Sequence, residues 1–451
     1  QVRGSWQQPL AKMSTPDSND AFGANSWLIE EMREAWEKDP SSVDESWRIF
    51  FAGDTSATGN TSTKPAASDS PPPQEHSPAA KEPVATRQEG NQPTVESVKP
   101  TSESPSTPGT GAGLSANAPN PSLRPEPSAV APQLTVLRGA PMRTAKNMDA
   151  SLSVPTATSV RSVPMKLAID QRAAVNEFLK TSKGGKVSFT HLIAYAMVQA
   201  LKAVPAMNNS YDVINGKPTL IENPTINLGI AIDLKKPDGT RQLMVPNIKG
   251  CERLNFAQFW ADYEKIVTKA RAGELTVADF AGTTASITNP GGIGTNHSVP
   301  RLMNGQGMIL GVGSISYPAE FQGTSLFRVD DLGISKVTTL TSTYDHRVIQ
   351  GAQSGEFLKI IHELLLGEQR FYDEIFEALR IPYEPLRWSV DVSAHRENQV
   401  AKQGRVLELI NSYRSVGHLV ADTDPLEYRQ RSHEDLRLET HGLSIWDLDR
   451  E

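Results

Sequence analysis

The residues best suited to chemistry lie in the stretch Thr341-Ser-Thr-Tyr-Asp-His-Arg-Val-Ile-Gln-Gly351. A β-rich run, residues 336–344, leads into it, and an amphipathic helix is predicted to follow. His346 is therefore expected on a rigid turn where it can still meet a substrate. Its neighbours Asp345 and Arg347 predict an imidazole whose protonation is tuned by nearby charge. Taken alone, a histidine in such a setting is more often structural than catalytic.

A second candidate is Thr288, in the turn Ile287-Thr-Asn-Pro-Gly291 at the end of a predicted strand. Because Thr288 alternates with an apolar residue, its hydroxyl could point into a cleft. A histidine can take a proton from an incoming thiol, and a hydroxyl can donate a hydrogen bond to the oxyanion formed at a thioester. His346 and Thr288 together would suffice for acyl transfer between thiols without an acyl-enzyme intermediate. By itself, a threonine at this place more often caps a turn.

Other catalytic chemistries have weaker support in the sequence. The nine histidines are scattered, and neither an HExxH motif nor a thiolate cluster is present, so we expect no metal site. The turn Gly291-Gly-Ile-Gly294 is not followed by Lys-Ser/Thr, so no P-loop is predicted. No Gly-x-Ser-x-Gly elbow occurs, which disfavours a serine hydrolase.

Composition narrows the class of protein further. The net charge of −7 and the lack of a basic patch with interleaved aromatics make nucleic acid an unexpected partner. The only cysteine, Cys251, excludes an intrachain disulfide framework and is typical of a reducing cytoplasm, where we place the chain. No run of eighteen apolar residues is present, so we expect no membrane span, and there is no apolar signal-peptide core.

The chain begins with a predicted helical arm, residues 1–51, that carries Trp27, Trp36, Trp47 and Phe51. Two short helices cannot bury these aromatics alone. They pack either on the same chain or on a partner, and we favour a docking arm because the following segment resembles a tether. Residues 52–135 contain no Phe, Trp or Tyr and are rich in Pro, Ser, Thr and Ala, so a flexible, disordered linker is predicted.

Helices and strands are predicted to alternate from about residue 134 to Leu366. A helix is expected from Pro164, and a helix that is apolar on every side from Phe189 to Val204 belongs in a core. A hairpin is expected around Asp238-Gly239, and the closing helix runs from Ala352 to Leu366. This order predicts an α/β (α+β) domain of about 220 residues.

Three motifs carry a resemblance to a known family: Asn227-Leu-Gly-Ile-Ala-Ile-Asp233, Thr288-Asn-Pro-Gly-Gly-Ile-Gly294 and Tyr344-Asp-His-Arg-Val-Ile-Gln-Gly351. Together they resemble the catalytic domain of the dihydrolipoyl acyltransferases of 2-oxo acid dehydrogenase complexes. The resemblance covers about Val154 to Leu366 and implies the fold of chloramphenicol acetyltransferase.

The flanks are similar to the thiamine-dependent component of 2-oxoglutarate dehydrogenase, for example at Ala24-Asn-Ser-Trp-Leu-Ile-Glu-Glu-Met32 and His441-Gly-Leu-Ser-Ile-Trp-Asp-Leu-Asp-Arg450. The combination resembles the fused actinobacterial 2-oxoglutarate dehydrogenases. It implies an acyltransferase-like domain at 136–367 and the incomplete beginning of the thiamine-dependent region at 368–451. The thiamine-binding Gly-Asp-Gly…Asn-Asn pattern is missing, so we expect this chain not to decarboxylate 2-oxoglutarate by itself.

The family resemblance assigns roles by position. It implies that His346 is the catalytic histidine, that Thr288 stabilises the oxyanion, and that Arg161 lies where coenzyme A is often contacted. It also implies trimers in which His346 and Thr288 of one site come from different chains. Where the family usually has Asp, this sequence has Gln350, which can orient an imidazole but cannot stabilise its charge.

The resemblance also implies substrates and partners. A succinyl group would move between dihydrolipoamide and coenzyme A in the 2-oxoglutarate dehydrogenase reaction of the tricarboxylic acid cycle. Because no Asp-Lys-Ala lipoyl-attachment motif is present, the lipoyl group is expected from another protein, the acyltransferase of the pyruvate dehydrogenase complex, with dihydrolipoamide dehydrogenase as a further partner. Thiamine diphosphate and Mg²⁺ would serve only the full-length protein. The alternative is a catalytically inert trimeric scaffold, which Gln350 favours and the retained His346 and Thr288 disfavour.

Overall fold

The computed structural model describes residues 32–33, 36, 39–40, 43, 45–55, 134, 136–138, 140–182, 184–235, 239, 241–303, 305–391, 396–423 and 428–450. By their contacts, Gln1–Thr58 and Leu137–Glu451 belong to one unit. The predicted linker and the first predicted arm helix lie mostly outside the described residues.

The strands of the described residues are, in chain order, β1 (Thr156–Pro164), β2 (Ser210–Ile214), β3 (Lys217–Ile221), β4 (Leu228–Ile230), β5 (Ile232–Lys235), β6 (Arg241–Met244), β7 (Asn247–Ile248), β8 (Ala285–Thr288), β9 (Met308–Val312) and β10 (Val337–Asp345). Six of them form a mixed sheet at the centre of the domain, with the strand order β1-β10-β9-β8-β4-β7. Strands β8, β9 and β4 run parallel, and β10 is antiparallel to both of its neighbours, β1 and β9. The other four strands form two separate hairpins, β2–β3 and β5–β6.

Helices pack against this sheet and enclose the hydrophobic core. In chain order they are α1 (Glu45–Thr55), α2 (Ala140–Ser151), α3 (Lys166–Thr181), α4 (Phe189–Ala203), α5 (Phe256–Ala272), α6 (Leu326–Asp331), α7 (Gly351–Leu365), α8 (Phe371–Leu379) and α9 (Arg396–Val416). Helix α4 is buried along most of its length, as its continuous apolar sequence predicts. Helix α5 begins at Asn255, which forms a capping box with Gln258. The mixture of strands and helices confirms the predicted α/β (α+β) class.

The start of the domain differs from the prediction. Residues 162–164 were expected to open a helix, whereas they end strand β1, and the helix begins at Lys166. Strand β1 lies at the edge of the sheet, so its residues alternate only weakly between buried and exposed positions. Pro164 fits such an edge strand because Val337, which lies opposite it, exchanges its backbone hydrogen bonds with Ser316 and needs no donor from residue 164.

The C-terminal part packs into the same core as the predicted acyltransferase domain. Phe371 and Phe376 of α8 join the main hydrophobic cluster, as do Ile445 and Trp446. Packing therefore continues across residue 367, where the sequence analysis places a domain boundary. The boundaries themselves stay predictions about the origin of each segment.

Ion pairs also tie the C-terminal segment to the domain. Lys166 at the start of α3 contacts the Asp449 carboxylate at 2.5 Å. Arg450 contacts Asp391 through both terminal nitrogens, at 2.9 Å and 2.8 Å. Asp449 is exposed, whereas both side chains of the Arg450–Asp391 pair are largely buried, so the second pair holds the segment more firmly than a fully exposed pair would.

Helix α1 packs on the chain itself. Trp47 and Phe51 are buried in a second hydrophobic cluster with Leu275 and Phe280, and the Trp47 indole donates a hydrogen bond to the Leu275 carbonyl at 3.4 Å. The two aromatic rings stack with centroids 5.7 Å apart. We favoured a docking arm for a partner; for these described aromatics that interpretation is wrong, because the chain supplies its own apolar surface for them.

Truncating Trp47 should release α1 from this surface. Trp47→Ala removes a large side chain that is only 2% exposed, and such a loss costs about 3–5 kcal/mol. We expect the amides of α1 to lose hydrogen-exchange protection while those of α4 keep theirs. Ile49→Ala on the same helix is the control, because Ile49 is 68% exposed. Equal protection of α1 in the wild type and in the Trp47 variant would contradict this packing.

Candidate active site

His346 lies on the turn that follows β10. Its backbone N–H donates to the Pro155 carbonyl at 2.9 Å, which fixes the turn to the segment before β1. Its imidazole is exposed and packs edge-on against the Tyr344 ring, with centroids 5.6 Å apart. The imidazole makes no hydrogen bond to any other residue that the structure describes. A rigid backbone thus carries a ring whose nitrogens are free to meet a thiol.

The two charges that flank His346 in the sequence are bonded to each other. The Arg347 guanidinium donates to the Asp345 carboxylate through Nε at 2.9 Å and through Nη2 at 2.6 Å. The hydrogen bond to Asp345 raises the pKa of Arg347. The sequence predicts that these charges act on the imidazole, but their pairing leaves neither one directed at it.

Gln350 is the N-cap residue of helix α7. Its backbone N–H donates to the Gln353 side-chain oxygen at 2.8 Å. The Gln350 side chain is exposed and makes no capping hydrogen bond. A neutral residue thus stands at the N-cap position, where the family resemblance implies Asp.

Thr288 is the last residue of β8 and is half-buried. Its hydroxyl makes no hydrogen bond to any described residue, and the turn that follows has no side-chain cap. A turn-capping role, which is the commoner one for a threonine at this place, is therefore not what this hydroxyl performs. It is available as a donor at the end of a strand.

The glycine-rich turn after Thr288 holds its backbone close to the sheet. A Cβ atom at Gly291 would overlap with the carbonyl of Gly313, just beyond β9, so only glycine fits there. Gly294 closes the turn with φ of 88°, a left-handed conformation that favours glycine. Asn289 adds a hydrogen bond from its amide nitrogen to the Thr190 hydroxyl at 2.7 Å. The strand end that carries Thr288 is thus fixed on both sides.

The strand register places Thr288 and His346 at opposite ends of the sheet. Thr288 is opposite Gly311, and Gly311 is opposite Thr341. His346 lies five residues beyond Thr341 along the β10 direction, which corresponds to about 17 Å, and the two intervening strand spacings add about 10 Å sideways. One chain therefore does not bring the two predicted catalytic residues together.

Arg161 lies on β1 opposite Leu340. Along the strand direction this is close to the level of Thr288, but β1 and β8 are three strand positions apart in the sheet. The Arg161 Nε donates to His362 Nδ1 at 3.2 Å. Burial, and next the Arg161 cation, lower the pKa of His362, which suits an imidazole that accepts from a guanidinium. Within one chain, Arg161 is close to neither of the other two predicted site residues.

A cleft that the sequence did not predict lies beside the Thr288 turn. It has a volume of about 410 Å³, and its lining includes Lys186, His191, Glu264 and Asn289. His191 Nδ1 accepts the Ser188 N–H at 3.1 Å, and Nε2 lies 3.2 Å from the Glu264 carboxylate. Burial lowers the pKa of His191 to about 4, so the ring is neutral with its proton on Nε2. A serine before an apolar helix was the only sequence signal for this arrangement.

Two further properties concern the described residues only. No group of three or more His, Cys, Asp or Glu side chains among them is arranged to hold a metal ion. None of the helices in this part of the chain combines the length and apolar character needed to span a bilayer.

Comparisons with known proteins agree with the motifs. Residues 132–371 match the family model "2-oxoacid dehydrogenases acyltransferase (catalytic domain)". Residues 20–56 match "2-oxoglutarate dehydrogenase N-terminus". The first of these matches covers more than half of the chain and contains both candidate catalytic residues.

Two curated relatives show the same combination. The chain is 50% identical over 439 residues to the 2-oxoglutarate dehydrogenase E1/E2 component of Corynebacterium glutamicum, a match that covers 96% of this chain and 34% of that protein. It is 49% identical over 449 residues to a multifunctional 2-oxoglutarate metabolism enzyme of Mycolicibacterium vanbaalenii, with 96% and 35% covered. The chain thus spans about one third of the length of these relatives.

Solved structures similar to this one include a probable dihydrolipoamide acetyltransferase from Listeria monocytogenes. The match has 26% identity and a TM-score of 0.45, and it covers 52% of this chain and 95% of that one. On the strength of the family model that matches residues 132–371, the chain belongs to the family of 2-oxoacid dehydrogenase acyltransferase catalytic domains.

Proposed function

We propose that this chain transfers a succinyl group between coenzyme A and a dihydrolipoamide that a partner protein carries. The observation that carries the proposal is that two polar side chains on rigid strand ends have no hydrogen-bond partner among the described residues. The Thr288 hydroxyl and the His346 imidazole each lie on a rigid strand end, and neither makes a hydrogen bond to a described residue. These are the donor and the base that thiol-to-thiol acyl transfer requires.

The reaction needs no redox step. A nitrogen of His346 takes the proton of the incoming thiol, and the sulfur attacks the thioester carbonyl carbon. Thr288 donates its hydroxyl hydrogen bond to the oxyanion of the tetrahedral intermediate. When the intermediate collapses, the original C–S bond breaks, and the leaving sulfur takes the proton back from the imidazolium. Atoms and charge balance, because one thioester and one thiol give another thioester and another thiol.

We infer that the site forms between two copies of the chain. The register separates Thr288 from His346 by roughly the length of the sheet, about 20 Å, whereas the two groups must contact the same thioester. A second copy that presents its His346 turn to the Thr288 end of the first satisfies both requirements. Such a head-to-tail contact closes into a ring, and we propose a trimer.

We choose succinyl as the acyl group because of the names of the two curated relatives, not because of the shape of the candidate site. Both are named for 2-oxoglutarate, and oxidative decarboxylation of 2-oxoglutarate, with the lipoyl disulfide as the two-electron oxidant, leaves a four-carbon succinyl group. The lipoyl group is expected from a partner, the acyltransferase of the pyruvate dehydrogenase complex, because the sequence lacks a lipoyl-attachment motif. Dihydrolipoamide dehydrogenase would reoxidise the carrier. We expect thiamine diphosphate and Mg²⁺ to serve only the full-length protein.

An assay with the purified chain tests the proposal. Succinyl-coenzyme A and free dihydrolipoamide are mixed with it, and succinyl-dihydrolipoamide is measured by mass spectrometry. We expect transfer in proportion to the enzyme concentration, faster from succinyl-coenzyme A than from acetyl-coenzyme A. Faster transfer from acetyl-coenzyme A would overturn the choice of acyl group. Failure with both donors would overturn the enzymatic proposal.

A second candidate function is an inert trimeric scaffold, which one observation favours. Gln350, at the N-cap position of α7, is neutral, so it supplies no charge to an imidazolium in its own chain. Calorimetric titration with coenzyme A separates the two functions. Binding at millimolar concentration supports the enzyme, and absence of binding supports the scaffold.

A further inference from the structure

The hairpin β2–β3 lies against the His346 turn. The Tyr211 ring on β2 covers the Arg347 guanidinium, whose central carbon is 3.8 Å from the ring centroid. This distance corresponds to face-on stacking, in which the negative face of the ring attracts the cation. A residue far away in the sequence thus touches the neighbour of the candidate base.

Arg347 is held from two directions. On one side its Nε and Nη2 donate to the Asp345 carboxylate, which is 2% exposed. On the other side lies Tyr211. Because the Arg347 side chain is 29% exposed, water competes for the guanidinium wherever the protein does not cover it. The aromatic face excludes water from one side and so strengthens the pairing with Asp345.

This pairing sets the shape of the turn that carries His346. Asp345 Oδ1 also accepts the backbone N–H of Arg347 at 3.0 Å, so the carboxylate bridges the residues before and after the histidine. The His346 N–H is fixed separately by the Pro155 carbonyl. The carboxylate that holds the backbone of the turn is thus the same one that pairs with the Arg347 guanidinium, so fixing the guanidinium also fixes the carboxylate on which the turn depends.

We propose that Tyr211 is a positioning residue for acyl transfer: its ring holds Arg347, and through the Asp345–Arg347 pair it holds the His346 turn in the reactive direction. This inference rests on the proposed function, since it assumes that His346 acts as the base. Tyr211 lies outside the three motifs that carry the family resemblance.

The base of the hairpin has anchors that do not involve Tyr211. Asn223 donates to the Asn208 carbonyl at 2.7 Å, and Asn208 donates to the Thr225 carbonyl at 2.9 Å. A two-stranded hairpin is marginally stable alone, so these contacts matter for its folding. These contacts remain when the Tyr211 ring is removed. The β2–β3 hairpin should therefore fold and keep its position in a Tyr211 variant.

Three single variants of the full chain test the proposal in the succinyl-transfer assay. Tyr211→Leu removes the aromatic face and should lower kcat about tenfold, because small misplacements of a catalytic group have effects of this size or larger. The KM values for coenzyme A and dihydrolipoamide should stay close to those of the wild type. Tyr211→Phe keeps the face and should restore kcat. Val213→Ala, on the same strand at an exposed position, is the control for disturbing the hairpin.

A double variant shows whether Tyr211 acts through Arg347. In an Arg347→Met background, Tyr211→Leu should cause no further loss of kcat, because the contact is already gone. A further tenfold loss there, a normal kcat for Tyr211→Leu, or an equal loss for Tyr211→Phe would each overturn the inference. His346→Ala measured in parallel keeps the two proposals apart. If that variant transfers succinyl at the wild-type rate, the proposed function fails; if its rate falls as expected while Tyr211→Leu is normal, only the role of Tyr211 fails.

Discussion

Replacing His346 by alanine should lower kcat for succinyl transfer by about 10²–10⁴-fold, the usual contribution of a positioned general base. Without the imidazole, the incoming thiol must lose its proton to water, and at neutral pH only a small fraction of it is thiolate. The KM values should change little, because the imidazole is needed for proton transfer rather than for holding the acyl group.

The His346 variant should fold normally. The imidazole is exposed, and its only described side-chain neighbour in ring contact is Tyr344. The hydrogen bond to Pro155 comes from the backbone and is unchanged by the substitution. His418→Ala is a matched control, since it removes another exposed histidine outside the sheet. Transfer at the wild-type rate by the His346 variant would remove the base from the mechanism.

Replacing Thr288 by alanine should lower kcat by about 10²–10³-fold, as expected for the loss of one oxyanion donor. The effect should appear in kcat, because the hydrogen bond is stronger to the oxyanion than to the ground-state carbonyl. Thr288→Ser retains the hydroxyl and should keep most of the activity.

The Thr288 substitution is structurally mild. The hydroxyl makes no hydrogen bond to a described residue, so its removal leaves no partner unsatisfied. Unfolding by urea should therefore give nearly the same midpoint for Thr288→Ala and for the wild type. A loss of activity equal in Thr288→Ser and Thr288→Ala would show that the hydroxyl is not the group that matters.

The local pattern around His346 could be read from the sequence. The β-rich run at 336–344 became β10, Val337–Asp345, and the predicted helix from Ala352 to Leu366 became α7, Gly351–Leu365. The strand is rich in β-branched residues and the helix has apolar residues at helical spacing, and both are local signals in the sequence. Thr288 was likewise placed correctly at a strand end.

Strand β1 could not be read in the same way. It is an edge strand that carries Thr, Ser and Arg among its valines, and Pro164 made its end look like the start of a helix. Arg161 was consequently placed without its partner, His362, which lies on α7. The location of an edge strand depends on which other strand accepts it, and that information is tertiary.

The pairings around the candidate base were also beyond the sequence. Asp345 and Arg347 bond to each other and not to His346, although all three are adjacent in the chain. Tyr211 reaches Arg347 only because the β2–β3 hairpin folds back over the end of β10. The opposite positions of Thr288 and His346 follow from strand order and register, which the motifs do not encode, although the family resemblance implies that the two residues of one site come from different chains.

The most direct test of a site shared between copies combines two inactive chains. Thr288→Ala and His346→Ala chains are co-expressed with different tags, and assemblies that contain both are isolated on the two tags in turn. In a cyclic trimer with mixed composition, about one site in three joins an intact Thr288 to an intact His346 from the next chain. We predict succinyl transfer at about one third of the wild-type rate per trimer, by the same count. Mixed assemblies as inactive as either variant alone would contradict the shared site.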